Sequence, residues 1–371
     1  MTIPSQIYGS LAKFQSVLQA AAADHGFHAM VFSIESRHLA KRHSAPIQRT
    51  FDMADATTPQ AIALVIPDRK LEQLQQQLSA LLPDVPVWIY PEIPNPEAVA
   101  FAVVWKQPPG SLASMPNLKA LQSFGAGVDN ILSDLTLPQL PLARIVDPDL
   151  ASSMVNYVDT MVRYYRLRLD LFATQQQQGL WKPKSVRRLQ HICVLGLGEL
   201  GGAVARHFLQ QGYTVSGWSY HQKHIDGVRC YAKHTETTPD SALQAALQDA
   251  DVVVCLLPHT PETDNLLNAT RLGYCKTGAV LINVARGAIL DDEALLHALD
   301  RQALSAACLD VFRQEPLPAE HPFWQHPAIT LTPHISAVTN ATTAVAQIAE
   351  NYQRAMANQP LLHPVDVSRG Y

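Results

Sequence analysis

Three polar residues, Arg286, Glu315 and His334, each follow an apolar run that is typical of a buried strand. Because parallel strands direct their carboxyl ends at one crevice, the three side chains are expected to converge there. Taken singly, each has a purely structural explanation, such as a loop hydrogen bond, a salt bridge at a strand end or a solvated carboxylate. Taken together, they fit one reaction.

That reaction is the reduction of a 2-keto acid. It needs a proton donor to the carbonyl oxygen, and histidine suits this role because its ordinary pKa lies near neutrality, which points to His334. A carboxylate against the imidazole would keep it protonated and oriented, the role expected of Glu315. A planar guanidinium can clamp a carboxylate and a keto oxygen, the role expected of Arg286.

A glycine-rich turn indicates where the reductant binds. The segment 191–201 places G-x-G-x-x-G directly after a predicted buried strand and directly before a predicted helix. Gly196 permits the tight turn, Gly198 allows close approach of the pyrophosphate, and Gly201 allows the helix to pack near the strand. The helix N-terminus offers free N–H groups to the phosphates. The turn therefore predicts a dinucleotide site.

The end of the next predicted strand indicates which dinucleotide binds. An NAD site usually has Asp or Glu there, whereas this chain has Ser219, followed by Lys223 and two histidines. A carboxylate would repel a 2′-phosphate, but a hydroxyl and cations would accept it. NADPH is therefore expected in preference to NADH, with NADH still possible.

Strands and helices alternate in two series along the chain. The first series has predicted strands at 61–66, 85–90, 99–105, 118–124 and 143–146, and a helix at 71–82 with leucines on one face. A long helix follows, capped by Asp149, Ser152 or Ser153 and running to about Gln177. The second series has predicted strands at 191–195, 213–218, 251–257, 279–284, 306–312 and 329–331. Its predicted helices are 199–211, 292–299 and 339–358.

This alternation predicts an α/β fold with two doubly wound parallel-sheet domains. A flavodoxin-like substrate domain is expected to comprise residues 61–155 and 339–371. A Rossmann cofactor domain is expected at 156–338, inserted between those two segments. Residues 1–60 are expected to form an N-terminal extension.

Composition narrows the class of protein. The chain of 371 residues is 47% hydrophobic and 16% charged, which suits a globular protein, and its net charge is −4. Without a dense basic run or a long apolar stretch, neither nucleic acid nor a membrane is an expected partner. The five scattered cysteines lack metal or redox spacing, so no metal site is predicted, and reduced thiols in a cytoplasmic protein are expected.

The extension has three possible explanations. The first 50 residues contain five basic and two acidic residues, which faintly resembles an organelle transit peptide, although no cleavage pattern is present. An amphipathic helix over about 6–23, packed on the body of the protein, is an alternative. A third is that translation begins near Met53.

Several segments together resemble the D-isomer-specific 2-hydroxyacid dehydrogenases. The resemblance covers about residue 61 to the end and rests on segments 196–201, 256–263, 283–287, 308–316 and 332–335. It implies catalytic roles for Arg286, Glu315 and His334, and contact of Asp310 with the nicotinamide amide. Within these segments, Glu199, Leu200, Pro258 and Ala285 complete the predicted cofactor site.

The resemblance also implies how the substrate is held. The loop 123–130 is similar to the family's carboxylate-binding loop, in which N–H groups of Ala126 and Gly127 would cradle the anion. Within the family, the segment 104–109 and the ending 365–371 resemble the bacterial glyoxylate/hydroxypyruvate reductase A group. Trp105 would then line a small pocket.

These inferences predict NADPH-dependent reduction of glyoxylate to glycolate and of hydroxypyruvate to D-glycerate. One alternative is a family member that acts on a bulkier 2-keto acid or on phosphoglycerate. Another is a dinucleotide-sensing, corepressor-like binding protein, against which the complete set of Arg286, Glu315 and His334 argues. The family resemblance implies a homodimer formed through the cofactor domain.

Overall fold

The computed structural model describes residues 60–371. The expectations for an N-terminal helix at 6–23, for a transit peptide and for a start near Met53 lie outside the described residues. No helix between residues 60 and 371 has both the length and the apolar character needed to span a membrane.

The described residues form twelve strands and nine α-helices. The strands are β1 Ala61–Val65, β2 Val87–Ile89, β3 Val99–Val104, β4 Ala120–Ser123, β5 Leu142–Ala143, β6 His191–Leu195, β7 Thr214–Ser219, β8 Arg229–Ala232, β9 Val252–Cys255, β10 Ala279–Asn283, β11 Leu304–Leu309 and β12 Ile329–Leu331. The helices are α1 Glu72–Leu81, α2 Asp129–Leu132, α3 Pro148–Arg166, α4 Leu169–Gln177, α5 Glu199–Gln210, α6 Ser241–Leu247, α7 Ala269–Leu272, α8 Asp292–Asp300 and α9 Ala341–Met356. Short 3-10 helices lie at Pro96–Ala98, Lys233–Thr235, Gly287–Ile289 and Pro322–Gln325.

The strands pair in two sheets, and every pairing between them is parallel. The first sheet has the order β2-β1-β3-β4-β5, which is the flavodoxin-like order. The second has the order β12-β11-β10-β9-β6-β7-β8, the doubly wound dinucleotide order with a seventh strand at one edge. The predicted α/β class with two parallel sheets is confirmed.

Helices cover both sheets because the strands are apolar on both faces. In the first sheet, β1 and β3 are buried throughout, and α9 packs on one face with Ile348 and Tyr352, whose ring meets Phe101 edge-on at 6.0 Å. In the second sheet, Tyr165 of α3 is fully buried and donates a hydrogen bond to the Ala307 carbonyl at 2.9 Å. The domain bounds at 155 and 338 stay a prediction.

The predicted long helix was wrong at its start and in its continuity. Asp147, not Asp149, Ser152 or Ser153, is the N-cap of α3, because its Oδ1 accepts from the Asp149 N–H at 2.9 Å and Pro148 occupies the first turn. The helix then breaks at Arg168, whose φ of 60° is left-handed, and α4 continues to Gln177.

Two strands, β5 and β11, end three residues before their predicted ends, and one strand was missed. β5 stops at Ala143 because the Arg144 N–H donates to the carbonyl of His363 in the C-terminal segment and not to β4. β11 ends at Leu309, and the chain then turns into the loops of the crevice. The edge strand β8 was missed because its exposed and half-buried residues lack an apolar run.

Candidate active site

A cavity of about 750 Å³ is lined by loops that follow strands of both sheets. Because all strands are parallel, these loops bring the carboxyl ends of the strands into one crevice, where ligands of doubly wound folds bind. Seven predicted site residues line it, namely Trp105, Ala126, Gly127, Leu200, Arg286, Glu315 and His334.

The imidazole of His334 and the carboxylate of Glu315 form a hydrogen-bonded pair. The Nδ1 atom of His334 lies 2.8 Å from Oε2 of Glu315, and Oε1 accepts from the Phe312 N–H at 3.1 Å. Partial burial acts to raise the pKa of Glu315, but the hydrogen bond and charge of His334, the Phe312 N–H and the charge of Lys106 outweigh it and lower that pKa. Glu315 is therefore an ionised partner that orients the imidazole and leaves its Nε2 free to exchange a proton.

The buried carboxylate of Asp310 fixes the loop that carries His334 through hydrogen bonds. One oxygen of Asp310 accepts from the Thr332 hydroxyl at 2.6 Å and the Ile335 N–H at 2.9 Å, and the other accepts from the Ser336 N–H at 2.8 Å. His334 itself has a φ of 55°, a backbone conformation that a side-chain-bearing residue adopts only when its surroundings impose it. Asp310 thus positions the imidazole, and its contact with the nicotinamide amide stays a prediction.

Arg286 follows β10 and is fixed at several points. The Asn283 side chain braces this turn, because its Nδ2 donates to the Arg286 carbonyl at 3.2 Å and its Oδ1 accepts from the Ala285 N–H at 3.2 Å. The guanidinium donates through Nη1 to the Ala285 carbonyl at 2.7 Å. Its Nε lies 2.9 Å from both carboxylate oxygens of Asp129, at the start of α2.

The loop Gly125–Gly127 also lines the cavity and lies against the guanidinium of Arg286. The buried Ser123 ties it, since its hydroxyl donates to the Gly127 carbonyl at 2.9 Å and accepts from the Gly125 N–H at 3.2 Å. The indole of Trp105 lies so close to Gly125 that an added Cβ would be 2.5 Å from it. Among the described residues, the N–H groups of Ala126 and Gly127 have no acceptor, so they are available to an anion in the cavity.

The glycine turn lies between β6 and α5, and each glycine meets a different constraint. Gly196 has a φ of +99°, and a Cβ there would be 2.6 Å from the Leu256 carbonyl oxygen. A Cβ at Gly201 would lie 1.7 Å from the Gly196 carbonyl oxygen, so the helix and the turn are in direct backbone contact and leave no room for a side chain. A Cβ at Gly198 would meet nothing within 4 Å. Open space over Gly198 fits the cradle that a pyrophosphate needs.

The start of α5 presents unpaired donors to that space. In residues 60–371, the N–H groups of Gly198, Glu199, Leu200 and Gly201 have no hydrogen-bond acceptor, and no side chain caps the helix. A twelve-residue helix directs the positive end of its dipole to the same point. These residues therefore fit a dinucleotide phosphate.

The end of β7 carries no carboxylate. Ser219 is buried, and its hydroxyl donates to the His221 carbonyl at 2.7 Å, while Lys223 is exposed and has no ion-pair partner among the described residues. Desolvation, His234 and the charges of Arg369 and Lys223 lower the pKa of His221. The charges of Lys223 and of Arg369 in the C-terminal segment therefore act on the residues just after Ser219, and Arg369 also lies 3.1 Å from the Asp366 carboxylate.

The remaining predicted residues do not line the cavity. Ala285 is buried beside Arg286, and the Pro258 carbonyl accepts from the Thr263 hydroxyl at 2.7 Å. The residues outside the cavity lining are Gly196, Gly198, Glu199, Gly201, Ser219, Lys223, Pro258, Ala285 and Asp310.

Sequence reasoning missed four charged residues of the cavity region, Asp129, Lys106, Asp68 and Arg69. The Lys106 Nζ lies 3.9 Å from Glu315 and also 3.9 Å from Asp68. Lys106 directly follows Trp105, and Asp129 lies within the predicted carboxylate-binding loop, so both stood in segments already singled out. The ionic partners of Lys106 and Asp129 are visible only in the three-dimensional structure, because those partners are distant in sequence.

Comparison with known proteins identifies the family. Residues 160–336 match the family described as D-isomer specific 2-hydroxyacid dehydrogenase, NAD binding domain. Glyoxylate/hydroxypyruvate reductase A of Yersinia enterocolitica is 42% identical over 282 residues, which cover 73% of this chain and 87% of that protein. The same reductase of Serratia proteamaculans is 40% identical over 279 residues, with the same coverage. The chain belongs to the D-isomer specific 2-hydroxyacid dehydrogenase family.

Solved structures agree with this membership. A D-isomer specific 2-hydroxyacid dehydrogenase from Xanthobacter autotrophicus, in complex with NADPH and MES, has 36% identity and a TM-score of 0.79, and the match covers 84% of this chain and all of that one. An NADPH-dependent glyoxylate/hydroxypyruvate reductase from Sinorhizobium meliloti, in complex with NADP and sulfate, has 29% identity and a TM-score of 0.77, with coverage of 84% and 99%. As a D-isomer specific 2-hydroxyacid dehydrogenase, the protein is an oxidoreductase that acts on the CH–OH group of 2-hydroxy acids.

Proposed function

We propose that the protein reduces small 2-keto acids with NADPH, converting glyoxylate to glycolate and hydroxypyruvate to D-glycerate. The observation that carries the proposal is the 2.8 Å pair of His334 and Glu315, which lines the same cavity as Arg286. An acid and an anion clamp in one partly enclosed site are what carbonyl reduction next to a carboxylate requires.

In this reaction, different residues of the chain bind the substrate and donate the proton. The Nη groups of Arg286 and the N–H groups of Ala126 and Gly127 hold the substrate carboxylate, which fixes the keto group in the cavity. His334 gives its Nε2 proton to the carbonyl oxygen, and Glu315 at Nδ1 stabilises the imidazolium that precedes this transfer. NADPH, bound at the glycine turn, supplies the hydride to the keto carbon.

The residues at the end of β7 and two relatives support NADPH over NADH. Ser219 stands where an NAD site usually has the carboxylate that would repel a 2′-phosphate, and the charges of Lys223 and Arg369 act on His221, two residues further along. The open space at Gly198 and the unpaired N–H groups of α5 suit the pyrophosphate of either dinucleotide. The Xanthobacter and Sinorhizobium relatives have NADPH and NADP bound.

The small substrate is supported by Trp105 and by the relatives. The indole of Trp105 packs on Gly125 and narrows the cavity beside the carboxylate-binding loop. Two relatives that share 42% and 40% of aligned residues with this chain are named as glyoxylate/hydroxypyruvate reductases.

A second candidate is a 2-keto acid with a further anionic group. Arg69 and Lys106 line the same cavity as Trp105, and such a substrate would need cations there. Asp68 lies 3.9 Å from each of these two cations, however, so part of their charge is already balanced. This favours the smaller substrates.

We also propose a cytoplasmic homodimer. All five cysteines are free thiols, which suits a reducing compartment. The segment between α4 and β6 exposes Leu180, Trp181 and Val186, with Trp181 99% exposed, and such a surface suits a partner of the same kind. Light scattering on the purified protein checks the mass, and Trp181→Ala is expected to weaken the dimer.

The activity is tested by following NADPH and NADH oxidation with a panel of 2-keto acids. Glyoxylate and hydroxypyruvate with NADPH are expected to give the highest kcat/KM, while phosphohydroxypyruvate and bulkier 2-keto acids are expected to react poorly. Absence of turnover with every member would refute the proposed reaction. A preference for NADH would refute the interpretation of Ser219, and a preference for phosphohydroxypyruvate would establish the second candidate.

A further inference from the structure

An ion pair between the two sheets holds the guanidinium of Arg286. Arg286 follows β10 of the second sheet, whereas Asp129 begins α2, which follows β4 of the first sheet. The Arg286 Nε lies 2.9 Å from both Oδ1 and Oδ2 of Asp129. The two side chains are only 24% and 22% exposed, so this charged hydrogen bond is shielded from much of the solvent that weakens surface pairs.

The pair decides which donors of Arg286 remain available. A guanidinium has five N–H donors, of which Nε is directed to Asp129 and one on Nη1 to the Ala285 carbonyl. The Nη2 group lies against Gly127, since a Cβ there would be 1.8 Å from Nη2. The free Nη2 edge therefore adjoins the loop whose Ala126 and Gly127 N–H groups lack an acceptor in the described part of the chain.

We propose that Asp129 is a positioning residue that fixes Arg286 for binding of the substrate carboxylate, an inference that rests on the proposed function. Asp129 lies in the carboxylate-binding loop, two residues after Gly127, so one contact aligns donors from both sheets around a single anion. Without this contact the guanidinium would have to lose rotational freedom whenever substrate binds, which weakens binding.

Asp129 also makes the site selective. The negative charge of Asp129 offsets the positive charge of Arg286, so charge attraction alone binds an anion weakly. Tight binding requires hydrogen bonds both from the Nη groups of Arg286 and from the N–H groups of the loop. The planar carboxylate of a 2-keto acid can accept from both sets of donors, whereas a compact anion that is attracted mainly by net charge cannot.

The test compares Asp129→Ala and Asp129→Asn with the parent holoenzyme. Asp129→Ala is expected to raise KM for glyoxylate by about tenfold or more, from the loss of a charged hydrogen bond, with a smaller effect on kcat. Asp129→Asn is expected to restore KM to within a few-fold of the parent, because the amide oxygen still accepts from Nε. Fluorescence titration of NADPH is expected to give unchanged affinity in both variants.

Asp240→Ala is the matched control. Asp240 forms an Asp–Arg pair with Arg271 at 2.8 and 3.0 Å, both side chains are 26% exposed, and neither residue lines the cavity. This variant is expected to lose thermal stability as Asp129→Ala does, but to keep the parent KM.

Titration of oxalate into the NADPH-bound protein separates the two proposals, because it needs no turnover. If the parent reduces no keto acid, the proposed function fails, but weaker oxalate binding in Asp129→Ala, restored in Asp129→Asn, still supports the positioning role. If the parent is active and Asp129→Ala keeps its KM and oxalate affinity, the positioning role is wrong. The positioning role is also contradicted if Asp129→Asn does not restore the oxalate affinity that Asp129→Ala loses, or if Asp240→Ala loses as much.

Discussion

His334 and Glu315 come from loops that follow different strands of one sheet, yet Nδ1 and Oε2 are 2.8 Å apart. The strands β11 and β12 are parallel neighbours, so the segments after them leave the sheet side by side. Asp310 fixes the histidine loop through three hydrogen bonds, and Glu315 orients the ring. The imidazole therefore has one orientation before any substrate arrives.

Replacement of the imidazole tests this arrangement. His334→Ala is expected to lower kcat by about 10²–10⁴-fold, the usual contribution of a general acid. NADPH affinity is expected to stay near that of the parent, because no donor of the glycine turn is changed. Steady-state kinetics and NADPH fluorescence titration measure the two effects, and survival of most of the activity would show that another group supplies the proton.

The pH dependence of the reaction follows from the charge of Glu315. Because the pKa of Glu315 is lowered, its carboxylate stays ionised throughout the neutral range, and its charge is lost only when pH falls through that lowered pKa. In the parent, kcat/KM is therefore expected to fall at acidic pH, where Glu315 becomes protonated and its pairing with His334 weakens. Glu315→Gln removes the group that titrates there, so its profile is expected to lack this acid limb and to have a lower plateau at neutral pH.

If Glu315→Gln keeps the parent's acid limb, another group causes it. Gln can still accept a hydrogen bond from Nδ1, so a plateau equal to that of the parent would mean that Glu315 acts through orientation and not through its charge.

The cofactor preference is expected to depend on Ser219. Ser219→Asp introduces a carboxylate where the 2′-phosphate would lie, and like charges there should lower kcat/KM for NADPH by about tenfold or more. NADH should lose little or gain, because the new carboxylate can accept from the ribose hydroxyls. Ser219→Ala is the neutral control, and equal effects of both variants on the two cofactors would place the 2′-phosphate elsewhere.

Two glycines of one turn are expected to respond differently to the same substitution. Gly201→Ala places a Cβ 1.7 Å from the Gly196 carbonyl oxygen, so it should destabilise the fold. Gly198→Ala meets open space in the protein, so its thermal stability should change by only about 0.5 kcal/mol. Its NADPH affinity should nevertheless fall by about tenfold or more, because the methyl group occupies the phosphate cradle.

Thermal melts and NADPH titrations of both variants check this contrast. Tight NADPH binding by a well-folded Gly198→Ala protein would mean that the pyrophosphate does not approach this position.

The sequence was most informative where patterns are local. The apolar runs predicted eleven of the twelve strands, and G-x-G-x-x-G located the turn before α5, because these signals need only neighbouring residues. The sequence patterns did not predict the edge strand β8 or the helix break at Arg168. In β8 burial is incomplete, and at Arg168 a left-handed residue other than glycine has no reliable sequence signal.

Partners that are distant in sequence were the least predictable part of the site. The Asp129–Arg286 pair joins residues 157 positions apart, and the charge of Arg369, near the end of the chain, acts on the pKa of His221. Neither interaction follows from spacing, because each depends on how two sheets and a C-terminal segment meet. The pairing of His334 with Glu315 was expected because both follow strands at one edge.

The central claim is direct hydride transfer to the 2-carbon of a keto acid, and isotope transfer tests it best. The purified protein is incubated with hydroxypyruvate and NADPH deuterated at both C4 positions of the nicotinamide, and the glycerate is examined by NMR and by chiral chromatography. Direct transfer predicts one D-glycerate per NADPH oxidised, with deuterium at C2. NADPH oxidation without glycerate, glycerate without deuterium at C2, or the L-isomer would contradict it.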